Sequence, residues 1–364
     1  MDSVGMAKKF WRGKRVLVTG HTGFKGSWLC LWLLELGAQV AGYALPPSAE
    51  RNNYVLCGLA RHLKDIQGDI TDYARLEKTF LEFQPEIVFH LAAQPLVRRS
   101  YQEPRLTYET NVMGTLNVLE AARKAGSVRG AVMITTDKCY ENQGFARGYR
   151  EEDPMGGYDP YSSSKGCAEL LIASYRRSFC RCGGTGESKM AVASARAGNV
   201  IGGGDWSPDR LIPDCIRAIE AGEPIRLRNP KAVRPWQFVL EPLSGYLALA
   251  ERLWTEPERY VGGWNFGPDP KQMATVETMA RALTEAYGAG VVECQEDPNA
   301  PHEDPILLLD STKAGGKLGW HSRLSLAETL DWTAKWYRDY RREAPLKICQ
   351  RQLNLFTSMG KTQA

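Results

Sequence analysis

Tyr161 and Lys165, four apart in Tyr-Ser-Ser-Ser-Lys, and the cluster Thr135-Thr136-Asp137-Lys138 closing the apolar run Ala131 to Ile134, are residue types suited to moving protons at an alcohol. On a helix, positions four apart share a face, so the Lys165 ammonium can lie beside the Tyr161 phenol. A phenol ionises near pH ~10 and is a poor base at neutral pH. An ammonium at ~4 Å in an effective dielectric of ~20 is worth about 4 kcal/mol, roughly three pK units, which suffices to make the phenol a base. The same spacing also occurs at the start of any amphipathic helix, so its meaning depends on its surroundings.

Those surroundings alternate between strand and helix. Asp159-Pro160 supplies an N-cap and a first-turn proline for a helix from Tyr161 to about Phe179. Strands are predicted at Arg15 to Thr19, Gln39 to Leu45, Asp65 to Gly68, Ile87 to Leu91, Gly130 to Thr136 and Met190 to Arg196. Helices are predicted at Ser27 to Leu36, Tyr73 to Phe83 and Arg105 to Lys124. Such alternation argues for an α/β fold of Rossmann type, a doubly wound parallel sheet whose carboxyl edge carries the polar groups. After Asn199 glycine and proline thicken and the elements shorten, with helices predicted at Leu211 to Ala221, Glu241 to Leu253, Thr275 to Tyr287 and Ser325 to Arg342. The chain then divides into a dinucleotide-binding domain, residues 1–198 with about 236–263, and a smaller, partly interleaved C-terminal α/β substrate domain, residues 199–235 with about 264–345. Residues before Phe10 and after Leu355 are expected to be loose ends.

Between the first strand and its helix stands Gly20-His-Thr-Gly23-Phe-Lys-Gly26, spaced G-x-x-G-x-x-G. Glycines there permit a tight turn, close approach of backbone to a pyrophosphate and close helix packing, while the helix N-terminus favours the phosphate charge. Arg234, in Val-Arg-Pro-Trp-Gln just before a predicted strand, suits phosphate because its planar fork gives two directed hydrogen bonds.

The glycine set, Leu91-Ala92-Ala93, Asn111 and the Tyr161/Lys165 pair resemble the extended short-chain dehydrogenase/reductase family over nearly the whole chain. More narrowly, Thr19 to Gly26, His90-Leu-Ala-Ala-Gln94, Thr135 to Tyr140 and Arg196-Ala-Gly-Asn199 look like those of the CDP-glucose 4,6-dehydratases. The resemblance implies a bound NAD, a nucleotide-sugar substrate (CDP-glucose) and the product 4-keto-6-deoxy sugar. It also implies a homodimer or higher homo-oligomer built through the helices Arg105 to Lys124 and Tyr161 to Phe179.

By the same resemblance Gly20, Thr22, Gly23, Phe24, Lys25 and Gly26 surround the cofactor pyrophosphate, Asp69 and Ile70 border the adenine, and Leu91, Ala92 and Ala93 approach the cofactor, as do Tyr161 and Lys165. Tyr161 takes the 4-hydroxyl proton, Thr136 bonds the 4-oxygen, Asp137 is the acid at C6 and Lys138 stands near C5. Related dehydratases carry glutamate at the position of Lys138, so it is either a base of lowered pKa or a cation that stabilises the enolate. Asn199 and Arg234 hold the diphosphate; Arg210 is a further candidate, and Ser100 either touches the sugar or caps the next segment. Asp69 can equally be a turn residue. Tyr43 stands where a ribose-binding acid is usual, which weakens the preference for NAD over NADP. Arg51 is a candidate for a 2′-phosphate but reads better as a surface arginine, and His302-Glu303 is too isolated to be assigned.

Two other readings compete. A nucleotide-sugar 4-epimerase shares the oxidation at C4 but needs no acid at C6, so Asp137-Lys138 favours dehydration. A non-catalytic dinucleotide sensor has no use for an intact Thr136, Tyr161 and Lys165. Composition narrows the field further. A net charge of +4 on 364 residues, with basic residues scattered, gives little support for a nucleic-acid partner. Nine cysteines without regular spacing fit reduced thiols in the cytoplasm, and Cys180-Arg-Cys182 has no histidine partner, so no metal is expected. The longest apolar stretch, Trp28 to Leu34, is too short to span a membrane, and no membrane partner is expected.

Overall fold

The computed structural model describes residues 8–47, 51–145, 147–294 and 307–359. Arg15–Thr19 (β1) carries a Val-Leu-Val centre that is buried on both faces and forms the middle of the sheet. It pairs in parallel with Gln39–Ala44 (β2) on one side and Ile87–His90 (β4) on the other, with Lys64–Gln67 (β3) beyond β2. Gly130–Ile134 (β5), Ala191–Arg196 (β6) and Gly262–Asn265 (β7) extend the sheet past β4, giving the order β7-β6-β5-β4-β1-β2-β3 with every pair parallel. The order reverses between β1 and β4, and a crevice opens there at the strands' carboxyl ends. β7 has only four residues, two of them glycine, and was not among the predicted strands.

Period-two alternation sends side chains to two cores. Val16, Val18, Phe89 and Val132 point to one face and pack with Trp28, Leu29 and Leu33 of Phe24–Glu35 (α1). Leu17, Val88, Ala131 and Met133 point to the other, against Leu76 and Phe80 of Tyr73–Phe83 (α2) and Val118 and Leu119 of Gly114–Ala125 (α3). Because both faces are covered, β4, β5 and β6 are buried at every position.

Pro160–Phe179 (α4) starts as its sequence predicts. Asp159 caps it, accepting from the Ser162 N–H at 2.9 Å and the Ser162 hydroxyl at 2.6 Å, with Pro160 in the first turn. Leu211–Ala221 (α5), Leu240–Thr255 (α6), Val276–Tyr287 (α7) and Leu326–Asp339 (α8) form where helices are predicted. Short pairs stitch the segments between them. Val200–Ile201 pairs with Gln237–Phe238, Val233–Pro235 with Met273–Thr275, and Ile225–Leu227 with Val292–Cys294.

Two expectations are corrected. The helix expected to be continuous from Arg105 to Lys124 is interrupted by a π-turn, Glu109–Met113, between Pro104–Tyr108 and α3. The chain from Leu355 to Met359 is not loose: Pro345–Met359 (α9) buries Ile348, Cys349, Leu353 and Phe356, and Phe356 packs edge-on against Trp32 of α1 with ring centroids 5.9 Å apart. The larger core therefore runs unbroken from Trp11 to Phe356.

Candidate active site

The strand ends and the segments after Asn199 enclose a cleft of about 410 Å³, lined by Thr136, Asp137, Lys138, Tyr161 and Lys165 together with Lys25, Asn199, Arg210 and Arg234. All five candidate catalytic side chains thus meet in one place. Thr136 lies two residues past the end of β5 and caps the turn Asp137–Cys139. Its hydroxyl donates to Asp137 Oδ1 at 2.8 Å, and the Lys138 N–H donates to the same carboxylate oxygen at 3.0 Å. Asp137 is almost fully buried, and the room it occupies exists because residue 198 is glycine: a Cβ there would lie 2.2 Å from Asp137 Oδ2.

The phenol of Tyr161 is hydrogen-bonded to Thr136, but the protein's own groups do not make it a base. Burial pushes it up to about 12, outweighing the Thr136 hydrogen bond and the more distant Arg210. Burial also pulls the Lys165 ammonium down to about 8 against the attraction of Glu169, one helical turn further on. The expected lowering of the phenol by roughly three units is therefore not produced by Lys165 alone, because the same dry surroundings disfavour both charged forms. Lys25, reaching in from the first turn of α1, is drawn down to about 7 by burial, with Arg210 and Lys165 adding to the effect and Asp137 opposing it.

Two buried polar networks fix this geometry. Asn111, in the π-turn, donates to the Gln94 carbonyl at 3.1 Å and to Ser164 Oγ at 2.8 Å, and its Oδ1 accepts from the Gln94 N–H at 2.8 Å. The loop after β4 is thereby tied to α4 beside Tyr161, and the wider π-turn sets Asn111 between them. On the other side, Glu169 of α4 accepts from Arg196 at 2.7 Å, from Ser194 at 2.7 Å and from Thr135 at 2.5 Å. Arg196 also donates to the Tyr140 hydroxyl at 2.5 Å, which donates to Asn265 at 2.8 Å. Sequence reasoning missed this network, although an arginine at the end of the apolar strand Ala-Val-Ala-Ser-Ala-Arg is a signal that a buried partner exists.

The glycine turn is built to hold an anion. Gly20 has φ +74°, and a Cβ on it would lie 2.6 Å from the Ala92 N; a Cβ on Gly26 would fall 2.1 Å from the Gly20 carbonyl oxygen. Gly23 is the N-cap of α1 and offers no side-chain cap. These features fit a dinucleotide pyrophosphate held by Gly20, Gly23, Phe24, Lys25 and Gly26. Thr22 donates to the Leu45 carbonyl at 3.1 Å, and Leu91 and Ala93 line the cleft. Ile70 is buried against Gly114, where a Cβ would meet it at 2.5 Å.

Other candidates stand apart. Ser100 is fully buried, donates to the Val97 carbonyl at 2.6 Å and does not line the cleft. Its hydroxyl stabilises a helix turn. Asp69 Oδ1 accepts from the Thr71 N–H at 2.9 Å, the geometry of a turn residue. Tyr43 is buried and donates to the Asp69 carbonyl at 3.0 Å. Arg51 pairs with Glu220 at 2.8 Å and lies over Trp206, the setting of a surface arginine. Arg210, half in doubt from sequence, lines the cleft and pairs with Asp205 at 3.1 Å. His302 and Glu303 lie outside the described residues.

A glycine-cradled pyrophosphate site beside a Thr-Asp-Lys and Tyr-Lys constellation defines a dinucleotide-dependent enzyme of sugar-nucleotide chemistry. The chain belongs to the GDP-mannose 4,6 dehydratase family, whose model matches residues 17–333. It is 49% identical over 345 residues to a CDP-glucose 4,6-dehydratase of Salmonella typhimurium, covering 95% of this chain and 96% of that protein. Among solved structures it resembles DesIV, a dTDP-glucose 4,6-dehydratase of Streptomyces venezuelae solved with NAD bound, at a TM-score of 0.75 and 26% identity over 90% of this chain and 98% of that one. It also resembles the UDP-glucose 4-epimerase of Thermus thermophilus in complex with NAD, at a TM-score of 0.74 and 27% identity over 89% of this chain and 99% of that one.

Proposed function

We propose that the protein is an NAD-dependent CDP-glucose 4,6-dehydratase, a hydro-lyase that converts CDP-glucose to CDP-4-keto-6-deoxyglucose and water. The observation that carries this reading is the pairing of Asp137 and Lys138 with Tyr161 in one cleft, since an epimerase needs no proton donor at C6. The 49% identity to the Salmonella enzyme supports the same choice. When bound, NAD accepts hydride from the sugar at C4 and returns it at C6. The Tyr161 phenol, which the protein's own groups leave protonated, would gain from the positive charge of an oxidised nicotinamide held beside it. Tyr161 takes the 4-hydroxyl proton and Thr136 bonds the 4-oxygen. The resulting ketone acidifies C5–H; Lys138 serves that carbon as the proton leaves and as a proton comes back to C5 when C6 regains hydride, and Asp137 gives a proton to the departing 6-hydroxyl, which leaves as water. Asn199, Arg210 and Arg234 hold the diphosphate.

Incubation of the purified protein with CDP-glucose should give the alkali-induced absorbance of a 4-keto-6-deoxy sugar, larger than with UDP-glucose or dTDP-glucose. Silence with all three nucleotide sugars would sink the reading. Lys138→Arg separates the two roles at C5, because a guanidinium keeps the charge but does not accept a proton at neutral pH. A loss of about 10²-fold or more in kcat assigns Lys138 as the base, whereas a change of less than about ten-fold assigns it as the enolate's counter-charge. Gly26→Ala should strip the bound dinucleotide, since its Cβ has no room against Gly20; a variant purified with its full content of NAD contradicts the cradle.

We also infer a homo-oligomer formed through α3 and α4, supported by apolar side chains left in solvent on or beside them, with Met113 50% and Leu170 60% exposed. The two-part division at about residue 198 belongs to the same reading. Among the described residues no helix is long and apolar enough to cross a membrane. The described cysteines are all thiols, which supports a reducing compartment such as the cytoplasm.

A further inference from the structure

Beyond the residues assigned to chemistry and diphosphate, the cleft is lined by further apolar side chains and by charged ones, Arg98, Asp209, Asp214, Arg226 and Arg228. Ile212 and Pro213 at the start of α5 are among the apolar ones, with Leu227 and, at the start of α7, Val276. Arg228 Nη2 donates to Asp209 Oδ1 at 3.5 Å, and Arg98 Nη1 approaches the same oxygen at 3.7 Å. Asp209 has φ +57°, a left-handed backbone that residues other than glycine adopt at a cost, so its carboxylate is aimed by a specific local conformation. Neither Asp209 nor Arg228 is among the groups that hydrogen-bond Thr136, Asp137 or Lys138.

We propose that Arg228 and Asp209 read the nucleobase and select cytosine over uracil or thymine. This rests on the nucleotide-sugar reading, which puts the base on the far side of the diphosphate from the reacting hexose. Cytosine presents two acceptors, O2 and N3, followed by a donor, the N4 amino group. A guanidinium offering two parallel N–H groups next to a carboxylate presents the complementary row: donor, donor, acceptor. Uracil and thymine carry a donor at N3 and an acceptor at O4, so each would set N–H against N–H and oxygen against carboxylate. Arg228 and Asp209 are 46% and 40% exposed in the open cleft; a base seated on them covers them, and a mismatch then leaves polar groups unpaired and discriminates. The apolar side chains accept the flat faces of the ring, and Arg98 helps to hold the carboxylate.

The test is equilibrium binding of free CDP and free UDP to the intact protein and to two variants, Arg228→Met and Asp209→Asn, beside turnover of CDP-glucose. The wild type should prefer CDP by about ten-fold or more, the size of one well-placed bidentate contact. Arg228→Met, which keeps the stem but loses the donors, should weaken CDP and bring the CDP/UDP ratio towards one. Asp209→Asn tolerates the left-handed backbone and can turn an amide N–H towards O4, so UDP should gain while CDP loses. Equal weakening of both nucleotides by Arg228→Met, with the ratio unchanged, would make Arg228 a phosphate ligand and overturn the proposal. So would a wild type that does not distinguish CDP from UDP. A protein that prefers CDP but turns over no nucleotide sugar would sink the proposed activity and leave the base reader standing.

Discussion

Tyr161→Phe should lower kcat with CDP-glucose by about 10²- to 10⁴-fold, the usual contribution of a positioned acid or base, while the protein keeps its cofactor and its melting temperature. The phenol sits at the start of α4 with its oxygen bonded to Thr136, so removal of that oxygen deletes one hydrogen bond and no packing. The first oxidation should disappear, and no reduced cofactor should form when substrate is added. The readouts are single-turnover absorbance of the nicotinamide and the steady-state rate. A variant that retained a tenth of wild-type turnover would require another base in the cleft. Lys25 and Lys165 are then the groups to examine, being drawn by burial to about 7 and about 8.

Arg196→Met should destabilise the fold by about 3–5 kcal/mol, because it leaves the Glu169 carboxylate buried without its counter-charge. Burial alone would push that carboxyl up; Arg196 and the hydroxyls of Thr135 and Ser194 hold it below its ordinary value. A carboxyl depressed in the folded chain stabilises it above the ordinary carboxylate range and loses that contribution as pH falls through its folded value. The wild-type protein should therefore soften in acid, and the variant should lose part of that acid dependence. Urea unfolding across pH measures both effects. The double variant Glu169→Met with Arg196→Met should recover much of the loss, since apolar replacement of both partners is often neutral. A single substitution costing less than about 1 kcal/mol would show that Tyr140 and Asn265 hold the region without the ion pair.

The framework was legible because it rests on local patterns. The strand, glycine turn and helix at Arg15 to Glu35 and the capped start of α4 follow from residue types a few positions apart. What the sequence hid depends on distant partners. The π-turn at Glu109–Met113 places Asn111 between Gln94 and Ser164, and nothing local in Glu-Thr-Asn-Val-Met signals that demand. α9 looked like a tail because its apolar residues are interleaved with lysine, arginine and glutamine; only the presence of Trp32 shows what Phe356 covers. Tyr161 and Lys165 are legible as a pair, yet their spacing overstates how far the ammonium activates the phenol, since charge attraction is visible in a spacing and desolvation is not. Asp209 and Arg228 are 19 residues apart and meet only through the fold.

The core that runs unbroken from Trp11 to Phe356 limits how such an enzyme can change. A gene cut near residue 198 would yield two fragments, each with half of a shared oily seam open to water, so neither should accumulate as a soluble piece. New sugar or base preferences in this lineage should therefore arise by point changes along the cleft and not by exchange of whole modules.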